Sequence, residues 1–519
     1  MQFTFGLFLR TVFLFSFLSL CFYHVEAQKK IQHSADWAHY DVDELPGITK
    51  LVGNVIFKHE EIVGYCDSAY LHENSNLIEA FGRKVKILLN DSVTLYGKYV
   101  IYNGDTRIAS ISKNVILEDN TTALYTDSLI YNLNTSVGYY LTGGEIINQE
   151  DTLTSKLGYY YTETHWLNLY HNVVLRNNSY TMTCDSLSYN TNTEIVYFIS
   201  RTHLVSKDSE IFTTSGWYES KTDISLLVKD VEIYNENQQI FGDSIYYDKN
   251  KKYGIGWNNI VVNDTAKGYI LQGNYVEYYE SNGVSLATDS AMLILVDAGD
   301  SLYVHADVFH IHIDSLQEPQ LILGFNHVKF FRKDMQGACD SMSYSMTDSL
   351  LIMYYNPVVW TENYQMTADT IFFHTIDSVH VKIHLCKTAF IVSSLYGDTE
   401  FDQIKGSNIY GLIQNKELRQ VDVMGNAECL YYLQDDDGSL IGINSSMTSE
   451  MRILFKDKQI SSLTKYNSPT GKIYPDEKLP SEDKRLKNFR WLGIYRPLDV
   501  KDIFHTPIPR VKEEAVENP

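Results

Sequence analysis

Asp127-Ser128-Leu129-Ile130-Tyr131 is a phrase that the chain repeats: Asp-Ser, an aliphatic residue, a spacer, then an aromatic. It returns as Asp185-Ser186-Leu187-Ser188-Tyr189, Asp243-Ser244-Ile245-Tyr246-Tyr247 and Asp340-Ser341-Met342-Ser343-Tyr344. Looser copies stand at Cys66-Asp67-Ser68-Ala69-Tyr70 and Asp369-Thr370-Ile371-Phe372-Phe373. The intervals are close to multiples of about 30 residues, the mark of a stacked array whose units cannot bury a core alone. Degenerate copies fill the gaps at Lys98-Tyr99, Lys156-Leu157, Ser215-Gly216, Asn274-Tyr275 and Asp307-Val308.

Alternation makes these units strands. In Asp127–Tyr131, residues 127, 129 and 131 share one face and Ser128 and Ile130 the other. Across the copies the first face carries Leu129 and Tyr131, Leu187 and Tyr189, Ile245 and Tyr247, Met342 and Tyr344, and Ile371 and Phe373. One apolar and one mixed face is the pattern of a sheet with one buried side. Asn, Gly, Asp and Ser clusters such as Asn190-Thr191-Asn192 and Asp248-Lys249-Asn250 separate the strands. The expected fold class is therefore all-β: an antiparallel meander, sandwich or barrel, with Asp and Ser beginning each strand and capping its turn. The body shows no convincing amphipathic helix, and Lys405–Arg419 fits either helix or strand.

Composition agrees. The 519 residues include 39 Tyr and 23 Phe but only 10 Pro, a bias towards strands. A net charge of −22 excludes a nucleic-acid partner, which needs a basic groove, and simple attachment to an anionic membrane surface. Residues 1–27 read as a signal peptide, with Arg10 before an apolar run and Val25-Glu26-Ala27 as a cleavage site; a retained N-terminal anchor is the alternative. Residues 28–47 are a lead-in. The array runs from 48 to 467, with a seam near 314–320. Seven of the ten prolines lie at or beyond Pro469, so 468–519 is a Pro-rich, mostly irregular tail. Its cluster Phe489-Arg490-Trp491-Leu492-Gly493-Ile494 either docks on the strands or engages a partner.

The motif Gly53-Asn54-Val55-Ile56-Phe57, followed by Gly64-Tyr65-Cys66-Asp67-Ser68-Ala69-Tyr70, adds specificity. The same grammar recurs at Lys113-Asn114-Val115, His171-Asn172-Val173, Asn258-Asn259-Ile260, Asn326-His327-Val328 and Gly425-Asn426-Ala427. This serial phrasing resembles the OstA-like (LptA-type) family of lipopolysaccharide-transport proteins, in a long Bacteroidetes-type form. The resemblance implies an elongated antiparallel β-jellyroll, a folded-over (β-taco) repeat stack, whose trough carries lipid A acyl chains through the periplasm. It also implies other bridge components at the array ends, or head-to-tail self-association. The ten inward residues named above are then the candidate lipid-binding set. A stack of this length would be on the order of 100 Å long, and burying each acyl CH₂ is worth about 0.8 kcal/mol.

No nucleophile elbow, Walker loop or dinucleotide fingerprint is present in the sequence. His305, His310 and His312, or His380, His384 and Cys386, supply too few convergent ligands for a metal, so neither metal nor cofactor is expected. Asp435-Asp436-Asp437-Gly438 lacks the later ligands of a calcium loop. Five sparse cysteines after residue 27 make no disulfide framework. An exported structural or adhesive scaffold is the alternative function. A polysaccharide-cleaving β-helix is a weaker one, because Asp recurs in nearly every unit rather than in one patch.

Overall fold

The computed structural model describes residues 30–505, apart from 44, 90–91, 280–282, 297–298, 315–318, 362–363, 395–398, 416, 436–438, 457–458, 476–478 and 482. The proposed signal peptide, most of the Asp435–Gly438 turn and the centre of the proposed seam lie outside these residues. The described chain is built from antiparallel strands from Gln32–Ser34 to Thr470–Tyr474, with short 3₁₀ turns and no α-helix. It divides into two compact units, 1–195 and 196–519.

In the first unit the rungs run up and down: Ile48–His59, Ile62–His72, Leu77–Leu88, Val93–Asn103, Ile108–Asp119 and Thr122–Asn132 each pair with the next. The repeat period is thus one ascending and one descending strand. In the lead-in, Gln32–Ser34 and Trp37–Tyr40 both pair with Ile48–His59.

Every long rung is interrupted at its centre. Between Ile108–Asp119 and Thr122–Asn132 the register skips from Ser112↔Ser128 to Val115↔Thr126. The skipped residues, Lys113 and Asn114, are both left-handed, with φ of 67° and 53°. Gly53-Asn54 and His171-Asn172 do the same in this unit. A left-handed conformation costs an L-residue about 1–2 kcal/mol and is cheapest for Gly and Asn. Two in succession turn the strand sharply, so each rung contributes one half to each of two leaves. Within the strand Ile48–His59, Gly53-Asn54 of the Gly-Asn-Val motif makes this corner and Val55 resumes the pairing opposite Cys66.

The leaves close on one another. Tyr102 and His59 sit about five residues from their corners, on opposite leaves. A flat sheet would hold them roughly 30 Å apart, yet the Tyr102 hydroxyl and His59 Nδ1 are 2.8 Å apart. The sheet is doubled over, with its core between the leaves.

The repeated Asp belongs to the corner as well, which corrects its assignment to a strand start. Asp127 lies in the middle of Thr122–Asn132, opposite Lys113-Asn114. Asp67 accepts from Arg83 N at 2.9 Å. The degenerate copies at Lys98 and Lys156 mark the corners of intervening rungs.

The second unit uses the same device. Its corners include Lys229-Asp230, Asn258-Asn259, Asn326-His327, Lys387-Thr388 and Gly425-Asn426, all left-handed. Asp243 accepts from Asn259 Nδ2 at 2.9 Å, and His327 Nδ1 lies 2.8 Å from Asp307. Of Lys405–Arg419, open to either reading in the sequence, residues 405–414 lie in the strand Phe401–Gln414 and residues 417–419 in Glu417–Gln434. The tail docks on the outer face of one leaf: Leu492 and Tyr495 pack on Val358 and Trp360, and Phe489 and Trp491 on Phe390 and Phe401.

Candidate functional site: the inward face between the leaves

In the first unit the inward side chains of one leaf meet strand by strand. Leu117, Leu124, Ile146, Leu153, Leu175 and Met182 are successive cross-strand partners, none more than 1% exposed. On the facing leaf large and small residues alternate: Tyr102, Ala109, Tyr131, Gly138 and Tyr160 are neighbours in turn. Gly138 leaves room for the rings, since a Cβ there would lie 3.1 Å from Tyr131 and 3.2 Å from Leu117 of the opposite leaf. Cross-strand and cross-leaf packing of this kind fills the interior.

The free edge opposite the corners is fastened by polar contacts. Tyr160 donates to Asp119 at 2.5 Å and Tyr189 to Asp151 at 2.7 Å, each from one leaf to the other, and Asn148 Nδ2 donates to the Tyr189 hydroxyl at 2.9 Å. All five are buried. Burial first, and the adjacent carboxylates second, hold the Tyr160 and Tyr189 hydroxyls well above the ordinary tyrosine range, so both remain donors. Burial likewise pushes Tyr140 up to about 12. The sequence carried one sign of these fastenings: Asp119 continues the inward parity of Val115 and Leu117, and a carboxylate on an apolar face needs a partner.

The ten candidate residues all lie on inward parity. Leu129, Tyr131, Leu187 and Tyr189 are at most 2% exposed in the first unit. In the second unit Ile245, Met342, Ile371 and Phe373 are buried, while Tyr247 and Tyr344 are half-buried.

The second unit is not uniform inside. Leu204, Ile211, Ile233, Ile240 and Val262 form an inward row in register with one another, the counterpart of Leu117 and its neighbours. All five are half-buried. The row then closes again at Leu271, Leu293, Val304 and Phe330, which are 1–3% exposed. On the facing leaf of the open stretch, the inward positions of Tyr253–Asp264 include Gly254 and Gly256. A Cβ at Gly254 would meet nothing nearer than 3.5 Å.

Among the described residues no group of three or more His, Cys, Asp or Glu could hold a metal. His310 stacks edge-on to Phe325, His384 is sandwiched between Phe372 and Tyr410, and His305 Nδ1 lies 2.7 Å from the Ala291 carbonyl. The free thiols of Cys66 and Cys339 are buried, and Cys66 is pushed up to about 12 by that burial, which leaves it unreactive. No described helix is long and apolar enough to cross a membrane.

The family described as OstA-like protein matches residues 28–185 and 159–243. No curated protein matches the chain. Among solved structures, one similar chain is LptH from Pseudomonas aeruginosa, described as the LptA homologous periplasmic component of the conserved lipopolysaccharide transport device. It is 13% identical over 20% of this chain and 77% of its own, with a TM-score of 0.19.

Proposed function

We propose, on the similarity of residues 28–243 to the OstA-like protein family, that this chain is a periplasmic carrier of lipopolysaccharide on the way to the outer membrane. The observation that supports this reading is the doubled-over sheet itself. Within each unit it presents an aliphatic and aromatic parity inward: Leu129, Tyr131, Leu187 and Tyr189 in the first, and Ile245, Tyr247, Met342, Tyr344, Ile371 and Phe373 in the second. Such a face takes acyl chains out of water, worth about 0.8 kcal/mol per CH₂. Hydrophobic attraction has no direction, so a chain can shift along the rungs with small changes in free energy. Anionic sugars and phosphates stay outside at the free edge. Other bridge components would join at the array ends by strand pairing.

Site-specific photo-crosslinking in living cells tests the reading. Probes at the inward positions Ile240 and Tyr247 should yield lipopolysaccharide adducts, and probes at their outward neighbours Phe241 and Tyr246 should not. Equal labelling of both parities, or none at either, would refute the carrier. Depletion of the protein should also stall lipopolysaccharide before the cell surface.

A further inference from the structure

We propose that the lipid is held at one defined stretch of the second unit, residues 202–279, with its acyl chains between the leaves and its phosphorylated headgroup on lysines of the free edge. This deepens the carrier reading and rests on it. Two independent observations converge there.

The first is room. Leu204, Ile211, Ile233, Ile240 and Val262 face inward yet are half-buried, whereas their counterparts in the first unit are at most 1% exposed. Across from them Gly254 leaves space that a side chain fills elsewhere: the same inward position carries Ala109 in Ile108–Asp119 and Leu167 in Trp166–Arg176. Tyrosines of this stretch also bond along a leaf rather than across it. Tyr218 donates to Asp223 of its own hairpin at 2.8 Å, and the Tyr253 and Tyr279 rings lie 4.6 Å apart on neighbouring strands. Asp264, the counterpart of Asp119, accepts from Lys267 N at 3.0 Å and Gln238 Nε2 at 3.2 Å, both on its own leaf.

The second is charge. The hairpins at the free edge of this stretch carry Lys207, Lys221, Lys249, Lys251 and Lys252, all exposed, and Lys267, half-buried. Three of these lysines meet acids of the same edge at its surface: Lys249 with Asp223 at 3.4 Å, Lys251 with Asp248 at 2.9 Å and Lys267 with Asp264 at 3.9 Å. Asp248 and Asp264 are themselves 2% and 1% exposed, so the ammonium groups and not these two carboxylates face solvent. Asp208, Glu210 and Glu236 are exposed acids, Glu210 being paired with His203 at 2.7 Å. The free edge of the first unit carries more exposed acid and less base. Glu73, Asp105, Glu150 and Glu163 are exposed there, and Arg107 is taken up by Glu60 and Glu61. On a chain of net charge −22, a lysine rim beside an underfilled apolar interior matches an anionic amphiphile. An acyl-chained, diphosphorylated lipid A fits both halves of the site, and phosphate bound by several ammonium groups gains charge-assisted hydrogen bonds.

The full mature protein, purified and titrated with bis-phosphorylated lipid A, dephosphorylated lipid A and phosphatidylglycerol, tests the assignment. Charge reversal at Lys207→Glu, Lys221→Glu and Lys252→Glu lies on exposed hairpins, spares the Lys249–Asp223 and Lys251–Asp248 ion pairs, and should leave the fold intact. It should weaken bis-phosphorylated lipid A by about tenfold or more and leave the dephosphorylated lipid nearly unchanged. Gly254→Leu, which fills the interior, should weaken all three. Photo-crosslinking at Ile240 and Val262 should exceed that at Leu117 and Leu153 by roughly tenfold, since only the former are open to solvent. Unchanged affinity after charge reversal, or lipid adducts chiefly at Leu117 and Leu153, overturns the placement while leaving the carrier intact. Tighter binding of phosphatidylglycerol than of lipid A overturns the ligand. Lipid contact at no inward position overturns the carrier itself.

Discussion

The hydroxyl of Tyr160 donates to the carboxylate of Asp119 at 2.5 Å, joining two leaves whose chain positions are 41 residues apart. His165 Nδ1 stands 3.5 Å from the same carboxylate, which is only 1% exposed. The pair closes the free edge of the first unit with a buried polar group that cannot turn to water. Tyr160→Phe keeps the ring packing and removes the donor. It should destabilise the protein by about 1–3 kcal/mol, the cost of leaving a buried acceptor short of a partner. Tyr161→Phe, on the outward face, should cost little. Denaturant unfolding of the two variants makes the comparison, and equal stabilities would rule out the fastening.

The corner makes a prediction of a different kind. Asn114 is left-handed with φ of 53°, a conformation that a β-branched residue strongly resists. Asn114→Val should destabilise by about 1–2 kcal/mol, while Asn114→Gly should be neutral or slightly stabilising. The order Gly ≥ Asn > Val in thermal melts checks it. Were Val tolerated as well as Gly, the strand would pass this point without a corner.

That corner also explains what was legible in the sequence and what was not. Strand identity and the inward face were readable, because alternate burial of Leu129 and Tyr131 around half-buried Ile130 imposes a period of two. The bend was hidden because it inserts an even number of residues. Ile111 and Val115 flank Lys113-Asn114 and keep the same parity, so the alternation runs through the corner unbroken. The tail's docking surface was hidden differently. Gln336, Gln365 and Gln403 occupy outward positions where polar residues normally meet solvent, yet they are at most 3% exposed. Val358-Val359-Trp360 and Ala389-Phe390-Ile391-Val392 were the available sign, since loss of alternation means that both faces are covered. The open stretch at Leu204–Val262 left no mark, because its aliphatic residues are those of a filled interior.

The tail is gripped through its backbone. Gln365 donates from Nε2 to the Arg490 carbonyl at 2.8 Å and accepts from Leu492 N at 2.7 Å. Gln403 repeats the grip on the Lys484 carbonyl at 2.8 Å and Leu486 N at 2.7 Å. Arg485 lies over the rings of Phe401 and Phe489, 4.7 and 4.8 Å from their centroids. A carboxamide that both donates and accepts is required, so Gln365→Glu fails as a donor and Gln365→Leu loses both contacts. Combining Gln365→Leu with Gln403→Leu should destabilise by about 2–4 kcal/mol and raise amide exchange across 484–492 before the strands themselves unfold. Unaltered exchange in that segment would show that apolar packing alone holds it.

Asp402 gives the pH dependence. Burial raises its carboxyl from 3.8 to about 6, against the opposing hydrogen bond from Tyr432 N, which lies 2.8 Å from Oδ1. The folded state therefore binds this proton more tightly than the unfolded chain, and the neutral acid is the stabilising form. Its contribution is complete below the unfolded value of 3.8 and is lost as pH rises through about 6. Asp402→Asn keeps an acceptor for Tyr432 N and removes the buried charge. The variant should exceed the parent in stability by roughly 1–3 kcal/mol at neutral pH, and the gap should narrow steadily as the pH is lowered from neutrality towards 4. A gap that stayed constant over that range would mean that Asp402 is not the group that titrates.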